Sequence, residues 1–204
     1  MCDNARECEA AKRQGFVGNG VERFDALGSG ELSGASIRPA RPSDLPALLA
    51  VHRSAFETGA EAALVEVLLA SGDGIISIVA VENAMVVGHV LLSVVSIQGP
   101  GGATGALCLA PVAVRPEAQH AGIGSRLVQA SLEAAREHGW SAVIVLGHPG
   151  YYPRFGFVPA TPLGILPPWP DVPEEAWMVA ELSPGALVGI AGVVAFPSAF
   201  DEAV

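Results

Sequence analysis

The sequence predicts an α/β fold of the α+β type, in which helices flank a mixed central sheet. Three observations carry that expectation. Two apolar runs, Ile75–Glu82 and Met85–Gln98, are separated only by Asn83 and Ala84, a spacing that reads as a β-hairpin. A third run, Leu107–Val114, passes through a glycine-turned corner into a helical pattern with Ile123, Leu127, Val128 and Leu132 on one face. A further strand, Ser141–Leu146, follows at once. Hairpinned strands ahead of a strand–helix–strand unit give a mixed sheet rather than a repeated βαβ winding.

Taken in order, residues 1–35 mix charges with glycine and serine, and Gly28–Ser36 reads as a linker. They are expected to form a flexible tail, with room for a short helix around Arg6–Gln14, ahead of one domain over residues 36–204. Ser36–Arg41 is a short strand broken by Pro39 and Pro42. Ser43 is placed to cap a helix through Ala55, with Leu45, Leu48, Leu49 and His52 near one face. His52 is expected as a helix-surface or half-buried residue rather than as a ligand. After Gly59, Ala60–Ala70 turns Leu64, Val65, Leu68 and Leu69 inward, and Gly72 and Gly74 stop it. Gly88 marks a bulge in the second hairpin strand, His89 points across the sheet, and Gly99–Gly105 reads as a loop. Gly139 ends the helix after the glycine corner. Beyond Phe157, the prolines at 159, 162, 167, 168, 170 and 173 predict extended or turning backbone over the substrate end. Ala176–Leu182 and Val188–Phe196 then read as late strands that finish the sheet.

Charge narrows the function. The formal net charge is −10 and Lys12 is the only lysine, so no basic stripe exists to neutralise a nucleic-acid backbone. The same scarcity of lysine disfavours a P-loop, which needs a lysine after its glycine. Cys2, Cys8 and Cys108 form no disulfide framework, and Cys108 on an apolar strand reads as a small core residue. The start lacks a signal-peptide pattern, and Ala186–Phe196 is too short and glycine-broken to span a bilayer. The expected setting is cytoplasmic, with neither membrane nor nucleic acid as partner.

An anion site must then rest on backbone donors, and Gln119–Ser125 (Q-H-A-G-I-G-S) supplies a helix start flanked by glycines. The first N–H groups of a helix have no intrahelical acceptor and carry a partial positive charge, which suits a pyrophosphate. A bare Gly-x-Gly also serves simple close packing. Pro111, however, cannot donate to a ladder and predicts a bulge that frees the amides of Val112, Ala113 and Val114 for an extended ligand.

Downstream, G-H-P-G-Y-Y-P-R-F-G-F places Tyr152 four residues before Gly156-Phe157. Together, the Q-x-x-G-x-G pattern, the bulged strand and this run resemble the GNAT superfamily of acetyl-CoA-dependent N-acetyltransferases. The run L-G-H-P-x-Y-Y-P-R-F-G-F is similar to a bacterial branch of predicted acetyltransferases. The likeness continues through P-E-E-A-W-M-V-A-E-L and P-G-A-L to P-S-A-F, covering about Ser36 to Phe200.

The resemblance implies a mostly antiparallel sheet with splayed central strands. It implies acetyl-CoA as cosubstrate, without a metal, held by Val112, Ala113, Val114, Gln119, His120, Ala121, Gly122, Ile123, Gly124 and Ser125. It implies acetyl transfer to a primary amine, on a small molecule or a protein, by direct attack in a ternary complex. Tyr152 is the position that would protonate the leaving thiolate, an uphill transfer of ~2 kcal/mol for an ordinary phenol and thiol; the same ring could instead stack beside Tyr151 and Phe155. An amide near Ala113 or Val114 would meet the oxyanion. Glu57, Glu61, His148 or water would serve as the base. Arg115 and Arg126 are available to a phosphate, while Arg154 reads as stacking or acid-pairing. Dimers are common among such proteins, which leaves a homodimer open.

Two other readings stand beside this one. Residues Cys108–Val114 hold no acid, which suits a non-catalytic acyl-CoA-binding module. A dinucleotide-binding oxidoreductase would need a glycine at Leu127 and an acid where Gly147-His148 stands.

Overall fold

In the computed structural model, which describes residues 34–201, nine strands form one sheet. The strands are β1 (Ser36–Pro39), β2 (Gly74–Glu82), β3 (Met85–Gly99), β4 (Gly102–Val114), β5 (Ala142–Leu146), β6 (Val158–Pro159), β7 (Ile165–Leu166), β8 (Trp177–Glu181) and β9 (Gly192–Ala195). The helices are α1 (Leu45–Ala55), α2 (Ala60–Ser71) and α3 (Ile123–Glu137). The sheet order is β1-β2-β3-β4-β5-β8-β6, and β9 pairs with β3 and β7. The expected tail, its helix, Cys2, Cys8 and Lys12 lie outside the described residues, apart from Gly34 and Ala35; Ala35 is already part of the core.

Neighbours along the main path run antiparallel except β4 and β5. Asn83 and Ala84 both take positive φ (48° and 63°), the mirror-image turn that suits the twist of a two-residue hairpin. Gly99–Gly105, expected as a loop, is mostly strand, because Ala103, Thr104 and Gly105 pair with Gln98, Ile97 and Ser96 and ladder pairing overrides the weak propensity of glycine. The late strand expected over Val188–Phe196 shrinks to β9, and it does not extend the far edge of the sheet. It pairs instead with Ser96–Gln98 of β3, beyond the point where β2 stops at Ser93.

Two apolar layers sandwich the sheet. Leu107, Leu109, Val90 and Leu92 face α3, which buries Ile123, Leu127 and Val128 against them. Leu91, Val95, Cys108 and Ala113 face α1, α2 and the C-terminal segment. Gly88 is on the α3 side, where a side chain would strike Leu127 and Ile123. The entrance to α1 differs from expectation. Ser43 does not cap it; a short turn, Pro42–Asp44, intervenes, and Asp44 accepts the Arg41 N–H (2.7 Å) while pairing in a fork with Arg38 (2.6 and 3.0 Å). A charged carboxylate with two guanidinium donors outcompetes a serine hydroxyl for that place.

His52 also departs from expectation. It is fully buried, its Nε2 lies 2.7 Å from Nδ1 of His89, and His89 Nε2 lies 2.9 Å from Ser77 Oγ. Burial holds both rings neutral: His52 falls to about 4, and His89 lies well below the ordinary histidine value. The chain from α1 through β3 to β2 is thus a neutral polar thread within an apolar layer.

Candidate active site

The site begins where β4 and β5 part. They share only two paired positions, Leu107 with Val143 and Cys108 with Ile144, so β4 leaves its neighbour after Cys108. The expected bulge lies just there. Val90 pairs with Val112 and Leu92 with Leu109, leaving Ala110 and Pro111 together opposite Leu91. Beyond the bulge, β4 stays paired with β3 and its other edge is open toward β5.

Which amides face that opening follows from the ladder. The Arg115 N–H donates to Val87 O (2.9 Å), and paired positions alternate, so Ala113 turns its amide to His89 of β3. The expectation that all three amides are free is therefore corrected. Val112 and Val114 present backbone groups to the opening, and Ala113 does not. Gln119 Nε2 donates to Val114 O (3.0 Å), so this side chain braces the turn from below.

The turn leads into α3. His120 and Gly122 both have positive φ (63° and 79°), and Gly122 has nothing within 4 Å of a notional Cβ. No side chain caps the helix, and the first intrahelical bond is Arg126 N–H to Gly122 O (3.1 Å). The N–H groups of Ile123, Gly124 and Ser125 therefore begin a 15-residue helix without intrahelical acceptors. His120, Ala121 and Gly122 are exposed around them. Arg115 is engaged elsewhere, with Nε on Val86 O (3.0 Å) and a guanidinium nitrogen 3.7 Å from Glu117.

Opposite stands the turn after β5. The Tyr152 ring packs on Gly147 so closely that a Cβ there would overlap it, and edge-on against Tyr151 (5.1 Å) and Phe157 (5.5 Å). Burial, with neighbouring Tyr151 and Cys108 adding to it, raises the Tyr152 phenol to about 12. Tyr151, which sequence reasoning passed over, crosses to the helix start: its hydroxyl lies 3.4 Å from Ser125 Oγ and 3.2 Å from a notional Gly124 Cβ. One line of contacts thus joins Ser125, Tyr151, Tyr152 and Gly147. A second aromatic beside the motif tyrosine was the only signal for Tyr151 in the sequence.

The candidate bases are scattered. Glu57 is exposed between α1 and α2; Glu61, half-buried, accepts from Thr58 Oγ1 (3.2 Å). His148 is exposed, and its Nδ1 accepts the Gly150 N–H (3.1 Å), which fixes a turn. Cys108 is buried, and burial pushes its thiol up to about 12, so it stays protonated and serves packing. Among the described residues no group of three or more His, Cys, Asp or Glu could hold a metal. No described helix is long and apolar enough to cross a membrane.

Residues 36–160 match the acetyltransferase (GNAT) domain family. The chain belongs to the GNAT acetyltransferases. It is 35% identical over 167 residues to the uncharacterised N-acetyltransferase YhbS of Escherichia coli K12, covering 81% of this chain and 98% of that protein. YjhQ of the same strain, also an uncharacterised N-acetyltransferase, is 38% identical over 147 residues, covering 69% and 81%. The crystal structure of E. coli YhbS in complex with CoA superimposes with a TM-score of 0.78 at 35% identity, covering 82% of this chain and 92% of that one. A GNAT acetyltransferase from Brucella melitensis, in complex with acetyl-CoA, gives 0.68 at 30% identity, covering 82% and 98%. The splayed strands are thus those of a GNAT fold, and the chain is an acyltransferase by family.

Proposed function

We propose that this GNAT protein transfers the acetyl group of acetyl-CoA to a primary amine by direct attack in a ternary complex. One observation carries the reading. The open edge of β4 at Val112 and Val114 runs directly into the uncapped start of α3. An extended amide-bearing arm would pair with that edge like an added strand, and its pyrophosphate would rest on the N–H groups of Ile123, Gly124 and Ser125. The bulge at Ala110–Pro111 breaks the ladder just where the thioester would lie, and the open edge, rather than Ala113, supplies the oxyanion donor.

Protons decide the role of Tyr152. A phenol at about 12 is a weaker acid than an ordinary thiol of about 8.5, so full transfer to the leaving sulfur is uphill by roughly 5 kcal/mol. Tyr152 therefore keeps its proton and offers it as a hydrogen bond that strengthens as sulfur gains charge. The amine attacks the carbonyl carbon, the C–S bond breaks, and the nitrogen of the adduct releases the proton that completes the thiol. Positioning supplies most of the acceleration, and no strand-borne acid is required.

The test is a screen of amines, including polyamines, amino acids and lysine peptides, with free thiol followed by a disulfide reagent. Release of CoA that depends on both substrates supports the reading, and the Tyr152→Phe variant should lose roughly 100-fold in kcat at near-level acetyl-CoA affinity. Tight acetyl-CoA binding with no thiol release from any amine would favour a non-catalytic acyl-CoA-binding module. Unchanged kcat in the variant would remove Tyr152 from the reaction.

A further inference from the structure

We infer that Arg154, held on the ring of Tyr151, is a cationic arm for the diphosphate of the cosubstrate, acting across the cleft from the α3 start. The inference rests on the acetyl-CoA reading above. The guanidinium carbon of Arg154 lies 4.8 Å from the Tyr151 ring centroid, and Nη2 donates to Gly150 O (3.2 Å). Tyr151 is itself fixed, between Tyr152 (5.1 Å) and Phe155 (5.3 Å), with its hydroxyl at Ser125 and Gly124. The charge therefore sits on the face of a ring whose far end touches the first turn of α3. The ring links that charge to the helix turn whose amides would cradle a phosphate.

Three considerations assign that charge to a ligand. Arg38, Arg115 and Arg136 each have a carboxylate, in Asp44, Glu117 and Glu133; among the described residues Arg41, Arg53 and Arg154 pair with none, and of these three it is Arg154 that stacks on an aromatic ring. No carboxylate of the described residues pairs with Arg154, although the chain carries 21 acids. Stacking on an aromatic face leaves the in-plane N–H donors of a guanidinium directed outward, where they match the fork of a phosphate. Finally, a chain of net charge −10 repels a polyanionic cosubstrate, and the backbone donors of α3 carry only about half a charge. A full positive charge on the ring that reaches the α3 start would offset that repulsion.

The experiment measures affinity for acetyl-CoA, dephospho-CoA and S-acetyl-pantetheine, the first two by calorimetry and the last by ligand-observed NMR. Arg154→Gln should weaken acetyl-CoA and dephospho-CoA by about 10-fold and leave acetyl-pantetheine unchanged, since loss of one charge-assisted contact costs about 1.5 kcal/mol. Tyr151→Leu should show the same phosphate-dependent loss, and the double variant should lose no more than the larger single one. Arg154→Lys should recover part of the affinity. Equal loss on all three ligands, loss confined to acetyl-CoA, or no loss at all would overturn the assignment, thermal melts having shown each variant folded. If the unaltered protein binds none of the three, the acetyl-CoA reading itself has failed.

Discussion

Lowering the pH from 7 to 5 tests the buried thread of His52, His89 and Ser77. An unfolded chain protonates each histidine as the pH falls through about 6.5, whereas folded His52 stays neutral until about 4. Its contribution is therefore present above 6.5 and is lost progressively as the pH falls toward 4. The gap corresponds to about 3 kcal/mol in full and about 2 kcal/mol by pH 5. His89 shifts the same way and is coupled to His52, so the two act as a pair. For a domain of this size each kcal/mol moves Tm by about 2–4 °C, so a fall of roughly 4–8 °C between pH 7 and 5 is expected. Asp44, held below the ordinary carboxylate value by Arg38, gives way only under more acidic conditions and lies outside this window. Scanning calorimetry over the pH range, with imidazole 15N shifts followed by NMR, measures both halves of the claim. A Tm flat from pH 7 to 5, or either ring titrating near 6.5, would refute the reasoning.

Two substitutions address the cleft. Gly124→Val should weaken acetyl-CoA binding by roughly 100-fold, about 3 kcal/mol, because its branches would crowd the Tyr151 hydroxyl and Val114 while filling the cradle; calorimetric affinity near that of the unaltered protein would remove the site from this corner. Gly147→Ala should displace the Tyr152 ring, lowering kcat toward the Tyr152→Phe value while acetyl-CoA affinity changes little; unaltered turnover would show that the ring position is not used.

The elements carrying this cleft were legible because their signals are local. A two-residue hairpin turn, a 3.6-residue apolar stripe on α3 and a proline that forces a bulge each depend on a few neighbouring residues. The motif around Tyr152 and the glycine corner were readable for the same reason. What escaped depends on distant partners. That Ala113 turns its amide to β3 follows from ladder alternation, which no single residue announces. The meeting of His52 with His89 spans 37 positions, and Asp44 displaced Ser43 through a side-chain fork with Arg38 of β1, which apolar periodicity does not register. The placement of β9 against the far half of β3 needed only three paired positions, too few for a pattern. Tyr151 looked like a duplicate of its neighbour until the fold carried it to Ser125.

The extra residue of β4 sets a parity for everything after it. Before the bulge, Leu107 and Leu109 face α3; after it, Val112 and Val114 do, where an unbroken strand would have turned Pro111 and Ala113 that way. The same count decides which backbone groups look into the cleft. Core face and ligand edge are therefore locked together, and no shift of the strand can improve one without reversing the other. Loss or gain of a single residue between Cys108 and Arg115 would invert both at once, while paired changes would leave them intact. Length variation in this strand should therefore come in even steps, a constraint that acts on residue number rather than on residue type.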